Sequence, residues 1–261
     1  MAKVHILGQG GRIGSDLAEV AAERGHEIVK TDHAADTVAI CLPSHVELGE
    51  RLMDLVMGGK RVIDLSGRSK RFGYGQYALL GADGQPWEED FKRDATVFSN
   101  PGCMAGATIR GLRDSGLEPY VQGAVDVVCV GGKSYAPREQ QGGIWMANRL
   151  NDEHPHSKEI EAAFGSNITV NRLTPVVSDA ARAGLLTVVT GTLSGDTPFD
   201  LLNRSSNEPL DTAAVEGTDR MLLRTQMHAG EDGIDFTLGV AIDNLRFVTA
   251  NAVGLIEYLE G

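Results

Sequence analysis

The sequence is short of cysteine, of aromatic residues and of basic charge, and each shortage excludes something. Three cysteines in 261 residues, Cys41, Cys103 and Cys129, are an odd number at wide spacing, with no Cys-x-x-Cys pair. No disulfide framework is written into such a chain, and a reducing cytoplasm is the expected location. Cys41 and Cys129 lie in apolar strand-like runs and read as buried filler. Twenty-four basic residues stand against 36 acidic ones, for a net charge of -12. That balance argues against a nucleic acid or an anionic membrane as partner. A small anionic substrate needs only a local basic pocket and stays open. No apolar run reaches the length of a membrane span. Met1 to Leu7 runs straight into a strand and a glycine turn, without a secretory apolar region or cleavage site. Aromatics are 5% of the chain while glycines number 32, which points to tight turns and close backbone approaches, as in α/β enzymes. With 42% hydrophobic and 23% charged residues, the composition is that of a soluble globular protein of one large or two modest domains.

The apolar spacing gives the order of elements. Lys3–Leu7 reads as a buried strand, followed by a glycine-rich turn and a helical stripe through Ile13, Leu17, Val20 and Ala21 that closes near Gly25. His26–Lys30, Thr37–Leu42 and Arg61–Leu65 read as further strands. Ser44-His45-Val46-Glu47 fits a capping box for a helix that runs to Met57 and ends at Gly58-Gly59. This alternation indicates a parallel sheet with helices on its faces. After Cys103 the pattern changes. Ala124–Val130, Ile168–Leu173, Leu185–Leu193 and Asp235–Ile242 look like strands of a mostly antiparallel, mixed sheet, and Leu245–Leu259 returns to a helical stripe.

Gly8-Gln9-Gly10-Gly11-Arg12-Ile13-Gly14 is a near-fit to the dinucleotide fingerprint, placed after a strand and opening a helix. Gly8 makes the tight turn, Gly10 or Gly11 admits the pyrophosphate, and Gly14 lets the helix pack on the strand. These glycines, with Arg12 and Ile13, are the expected cofactor contacts. The end of the second strand, Lys30-Thr31-Asp32-His33, is ambivalent. Asp32 suits the ribose 2′-hydroxyl of NAD, whereas Lys30 or His33 suits the 2′-phosphate of NADP. The link to the third strand is too short for a full crossover helix.

Cys103 stands in Ser99-Asn100-Pro101-Gly102-Cys103-Met104, between a short strand at Ala95–Phe98 and a helical stretch over Ala105–Leu112. A thiol at such a turn lies near unpaired N–H groups and the positive end of a helix dipole, which favours the thiolate. A cysteine nucleophile also needs a base. Among seven histidines, His156 opens a helical stretch with Glu159 one turn later on the same face, where a carboxylate orients the imidazole. A solvated polar turn and a His154-x-His156 metal half-site are the competing readings, but no third ligand at matching spacing stands nearby.

Together these residues resemble N-acetyl-γ-glutamyl-phosphate reductase and, more broadly, the aspartate-semialdehyde dehydrogenase-like superfamily. Asn100-Pro101-Gly102-Cys103 is similar to the family's nucleophile motif, and Val62-Ile63-Asp64-Leu65-Ser66 to the strand and turn before it. Leu42-Pro43-Ser44-His45 resembles its Leu-Pro-x-Gly segment, and His154-Pro155-His156-Ser157-Lys158-Glu159-Ile160 its His-Arg-His-x-Pro-Glu-Ile run. Leu173-Thr174-Pro175, with Ala181-Arg182-Ala183-Gly184-Leu185, resembles the Thr-Pro-His…Arg-Gly stretch, and Asp243-Asn244-Leu245 the segment before the terminal helix. The likeness runs collinearly through nearly the whole chain. The sequence departs from the pattern at Val176 (His in the family), at Met104 (Tyr), at Gly131-Gly132-Lys133-Ser134-Tyr135 and at Gly67-Arg68-Ser69-Lys70-Arg71.

The resemblance implies an α/β fold: a Rossmann-type parallel-sheet nucleotide domain at 1–100 with 244–261, and an α+β mixed-sheet catalytic and dimerisation domain at 101–243. It implies reduction of an acyl phosphate to a semialdehyde through a Cys103 thioester, with His156 as base and Glu159 as its partner. Pro43, Ser66 and Asn244 join the cofactor contacts. Asn100, Arg68, Lys133, Arg138 and Arg182 are substrate candidates, and Lys70 and Arg71 are further cations for the phosphate. The cofactor is NADP, with NAD as the alternative, no metal is involved, and the assembly is a homodimer or homotetramer. Two rival readings are a dihydrodipicolinate-reductase-like enzyme, which needs no cysteine, and a nucleotide-binding sensor without turnover.

Overall fold

A computed structural model of the chain describes residues 1–88, 90–133, 145–147, 154–178, 182–204, 206, 208–230 and 233–261. The chain forms two compact units, Met1–Gly102 with Leu245–Gly261, and Cys103–Asn244. Asn244 falls in the second unit and not with the last helix as expected, because its N–H is bound to the Ala183 carbonyl at 2.9 Å. Pro101 and Gly102 fall in the first.

The first unit is a parallel six-stranded sheet in the order β2-β1-β3-β4-β6-β5. Its strands are β1 (Lys3–Leu7), β2 (Glu27–Ile28), β3 (Thr37–Ile40), β4 (Arg61–Asp64), β5 (Gln76–Tyr77) and β6 (Val97–Ser99). Adjacent residues of a strand point to opposite faces, so Val62 and Ile63 enter different cores. Ile63 meets Leu17 and Val20 of α1 (Arg12–Glu23) and Ala252, Leu255 and Ile256 of α7 (Arg246–Glu260). Val62 joins Leu7, Val38, Ile40 and Leu55 on the other face, where α2 (Glu50–Met57) lies. Burial on both faces is why these strands read as continuous apolar runs. Arg246 ties α7 to α1 through Asp16 at 3.5 Å and Glu23 at 2.9 Å. In place of a crossover helix, a 3₁₀ turn at Asp32–Ala34 joins β2 to β3, and both strands pair with β1.

The helix expected from Ser44 starts at Glu50. Gly49 takes a backbone φ of +47°, and the Ser44–Glu47 segment forms turns instead of a capping box. A short helix α3 (Arg68–Phe72) and the brief β5 have no counterpart in the expected order.

A buried amide pair holds the end of β6. Asn251, within the apolar stripe of α7, donates to the Ala78 carbonyl at 2.9 Å and to Asn100 Oδ1 at 2.8 Å, and accepts from Leu80 N–H at 2.9 Å. Asn100 in turn donates to the Val248 carbonyl at 3.0 Å. Asn251→Leu would strand several of these groups away from water. It is expected to destabilise the protein by about 3 kcal/mol or more, read as a lower denaturant midpoint at unchanged m.

The second unit is a mixed sheet in the order β11-β12-β10-β7-β9-β8. Its strands are β7 (Val121–Gly131), β8 (Trp145–Ala147), β9 (Ile168–Ser178), β10 (Gly184–Leu193), β11 (Met221–Ala229) and β12 (Ile234–Asp243). All neighbours are antiparallel except β7 and β9. Helix α4 (Cys103–Asp114) packs so closely on β12 that a Cβ at Gly111 would lie 2.5 Å from Val240. Helix α5 (Pro155–Phe164) packs against α4 and β9, and Arg113 of α4 donates to the Ala163 carbonyl at 3.0 Å and covers the Phe164 ring. A short helix α6 (Phe199–Leu202) follows β10.

Candidate active site

In the first unit the carboxyl ends of β1, β3, β4 and β6 bring together the glycine turn, Pro43, Ser66 and Asn100. This is the edge of a parallel sheet where nucleotides are held. Gly8 has φ +89°, and a Cβ there would lie 2.9 Å from the Cys41 carbonyl oxygen. A Cβ at Gly14 would overlap the Gly8 carbonyl oxygen, so both positions require glycine. Gly10 faces open space. Gly11 is the N-cap of α1 and offers no side chain to its first N–H groups, and the first turn carries no acidic residue. An uncapped, unopposed helix N-terminus beside an open glycine fits a pyrophosphate. Arg12 and Ile13 open that helix.

The selector position is more specific than the sequence implied. Asp32 pairs with Arg51 of α2 at 3.6 Å, so the acid expected to hold a ribose hydroxyl already faces a cation. Ser66 donates from both its N–H (2.8 Å) and its hydroxyl (2.5 Å) to Asp64, which also accepts the Ser69 N–H at 2.6 Å. That buried carboxylate shapes the turn from β4 into α3. Arg68, a substrate candidate, donates to the Val46 carbonyl at 3.2 Å and lies 3.6 Å from Glu47, tying α3 to the 44–47 loop. Asn100 is spent in the amide pair described above, so its side chain is a tie inside the unit and not an open substrate donor. Lys70 steadies the same turn, donating to the Asn100 carbonyl at 2.8 Å.

In the second unit Cys103 is half-buried and is the first residue of α4, two positions earlier than expected. Its thiol therefore sits in the first turn, where helix N–H groups have no partner within the helix. Met104 is fully buried, which accounts for a methionine where the family carries tyrosine: here the position is core. The other two thiols are held in the neutral form. Burial pushes Cys41 up to about 12, with the Asp64 charge adding to the effect. Burial likewise pushes Cys129 up to about 12, against a hydrogen bond with Thr187 and with a smaller contribution from Cys103. Iodoacetamide at neutral pH is therefore expected to label Cys103 well ahead of Cys41 and Cys129, and peptide mapping by mass spectrometry reads the order. Activity that survives complete labelling of Cys103 would contradict its role as nucleophile and favour the cysteine-independent reductase reading.

His156 and Glu159 both lie on α5, in its first turns, as the spacing required. His154 has a role the sequence did not disclose. It is buried, and its Nδ1 accepts the His156 N–H at 3.2 Å, so it caps α5, with Pro155 as the first helical residue. The two imidazole rings meet edge to face at 4.7 Å. His154 thus fixes the entry of the helix that carries His156.

One end of the mixed sheet gathers the remaining candidates. Lys133 lies just beyond β7, Arg182 just before β10 and Asn244 just beyond β12, and the register pairs Gly184 with Asp243 and Leu185 with Gly131. Lys133 and Arg182 are exposed. Arg138 lies outside the described residues. Glu216, which sequence reasoning missed, accepts the N–H groups of Arg182, Ala183 and Gly184 at 3.0, 3.0 and 2.9 Å. The Gly184 and Ala183 N–H groups hold its carboxyl below the ordinary value, helped by Arg182 and opposed by partial burial. A lowered carboxylate pKa stabilises the fold above the ordinary glutamate range, and that contribution is lost as the pH falls through the lowered value.

Solved structures match the whole chain. An aspartate-semialdehyde dehydrogenase II from Vibrio cholerae aligns with a TM-score of 0.79 at 15% identity, over 100% of this chain and 98% of its own. A probable aspartate-semialdehyde dehydrogenase from Pseudomonas aeruginosa gives 0.78 at 15% identity, over 99% and 98%. The chain has the fold of the aspartate-semialdehyde dehydrogenases. A Candida albicans aspartate-semialdehyde dehydrogenase, described with NADP, aligns at 0.72 and 10% identity over 100% and 99%. No family model matches the sequence, and no curated protein matches it. Within this aspartate-semialdehyde dehydrogenase fold, the described residues hold no group of three His, Cys, Asp or Glu suited to a metal ion. None of their helices is long and apolar enough to cross a membrane.

Proposed function

We propose that the protein reduces an acyl phosphate to a semialdehyde with NADPH, through a thioester on Cys103. The observation that carries this reading is Cys103 as the first residue of α4, in a chain whose whole length takes the fold of the aspartate-semialdehyde dehydrogenases. The Cys103 thiolate attacks the acyl carbon, the carbon–oxygen bond to phosphate breaks, and phosphate leaves. The Gly8–Gly14 turn would hold NADPH, which would supply the hydride needed to reduce a thioester. The thiohemiacetal then loses the Cys103 thiolate to give the aldehyde. His156 takes up and returns protons at the reacting oxygen and sulfur, and Glu159 orients its ring. Main-chain N–H groups at the start of α4 face the developing oxyanion. Lys133, Arg138 and Arg182 are the cations for the phosphate and acyl group.

NADP over NAD is supported by Arg51, a cation paired with Asp32 that would suit a 2′-phosphate, and by the NADP in the Candida albicans structure's description. The acyl group belongs to an activated amino-acid side chain. Motif order favours N-acetyl-γ-glutamyl phosphate, and the solved structures favour the aspartate-derived substrate. We read the protein as a cytoplasmic enzyme, with the open face of the mixed sheet as the surface for a homodimer or homotetramer.

The test is the reverse reaction, in which each candidate semialdehyde is supplied with inorganic phosphate and either NADP⁺ or NAD⁺. Phosphate-dependent reduction of NADP⁺ with one aldehyde is the expected result. Absence of cofactor reduction with every aldehyde, or reduction that ignores phosphate, would contradict the reading.

A further inference from the structure

Glu216 places its carboxylate on three successive main-chain N–H groups, those of Arg182, Ala183 and Gly184, at 2.9–3.0 Å. The chain around it is built to keep it there. Val215 beside it is fully buried, and the Gly217 N–H is held by the buried Asp243 carboxylate at 2.7 Å. A 3₁₀ turn at Thr212–Ala214, capped by Asp211 through the Ala213 N–H, lies directly over Gly184, where a Cβ would come 2.7 Å from Thr212. The other side of the turn is bound too: the Ala183 carbonyl accepts Asn244 N–H at 2.9 Å, and the Gly184 carbonyl accepts Gly132 N–H at 2.8 Å. One carboxylate therefore locks the Arg182–Gly184 turn into β10, at the end of the sheet that also carries Lys133. Arg182 itself is exposed, with its backbone fixed and its side chain available to solvent.

Resting on the functional reading above, we propose that Glu216 is a positioning residue for Arg182: by clamping the Arg182–Gly184 turn it sets where the guanidinium meets the anionic acyl substrate. Three N–H dipoles converging on the carboxylate offset its charge, so an anion can approach the neighbouring guanidinium. A rigid backbone beneath a long side chain lowers the ordering cost when that side chain engages a ligand.

The experiment is a double-mutant cycle on full-length protein with the acyl phosphate that the reverse reaction identifies. Arg182→Ala is expected to raise KM by about tenfold to a hundredfold, the loss typical of a charge-assisted contact, with kcat within about threefold. Glu216→Ala is expected to show the same split. Glu216→Gln, which keeps an acceptor oxygen for the turn, should fall between it and wild type and guards against a Glu216→Ala protein that does not fold. In the Arg182→Ala background, Glu216→Gln and Glu216→Ala should add little further to KM, because the residue they position is gone. The proposal is overturned if the Glu216 effect is as large without Arg182, if it falls on kcat alone, or if Arg182→Ala leaves KM unchanged. Wild-type protein that turns over no acyl phosphate or semialdehyde overturns the functional reading, and this assignment with it. Turnover without coupling overturns this assignment alone.

Discussion

Replacing Cys103 by serine is expected to lower turnover by about four orders of magnitude or more, while NADPH binding persists. The substitution exchanges one atom at a half-buried position in the first turn of α4, so the fold has little reason to change. The chemistry changes completely. A serine hydroxyl stays protonated where a thiol ionises, and an ester accepts hydride less readily than a thioester. Because the glycine turn belongs to a different unit from Cys103, nucleotide affinity should be unaffected. Turnover by stopped assay and NADPH binding by fluorescence titration separate the two. Retained turnover would remove the thioester from the account.

The second large effect is expected at His156. His156→Asn should cost about 10²–10⁴ in kcat, the range for loss of a positioned acid–base group. Its neighbour provides the control. His154→Asn keeps a side chain of the kind preferred at a helix N-cap, so α5 should hold and turnover should fall only a few-fold. Equal losses in the two variants would mean that the pair acts structurally, through the cap and the ring contact, and that the base lies elsewhere.

Much of this organisation was legible in the sequence, and the reasons are local. Lys3–Leu7 forms β1 as read, because a short apolar run ended by a glycine turn has the length and composition of a buried strand. The helix after it follows its 3.6-residue stripe, and Gly8 and Gly14 occupy places where a side chain would strike the backbone. Cys103 does stand at a turn between a strand and a helix, as its neighbours in sequence indicated. What failed was local pattern without local geometry. Ser44–Glu47 has the letters of a capping box, but the positive φ of Gly49 delays the helix to Glu50. β11 was missed because, as an edge strand, it is half-buried along much of its length and shows no clean alternation. β5 is two residues long and exists through its pairing with β6.

In the site, the missed residues share one property: their partners are remote in sequence. Asn251 meets Asn100, Ala78 and Leu80 from the far end of the chain, and Glu216 meets a turn more than thirty residues upstream. A polar residue inside the apolar stripe of α7 was the available signal for Asn251. Glu216 sits in a polar loop and carried none. Asn100 illustrates the converse, since motif position marked it for substrate and tertiary packing claimed its amide.

The central claim is that Cys103 carries the acyl group, and intact-protein mass spectrometry tests it most directly. The protein is mixed with N-acetyl-γ-glutamyl phosphate, or with the aspartyl equivalent, in the absence of NADPH, then sampled again after NADPH is added. One acyl adduct is expected, mapped to the peptide bearing Cys103, that disappears on NADPH addition as aldehyde forms. No adduct with either acyl phosphate, an adduct on another residue, or one that NADPH does not discharge would contradict it.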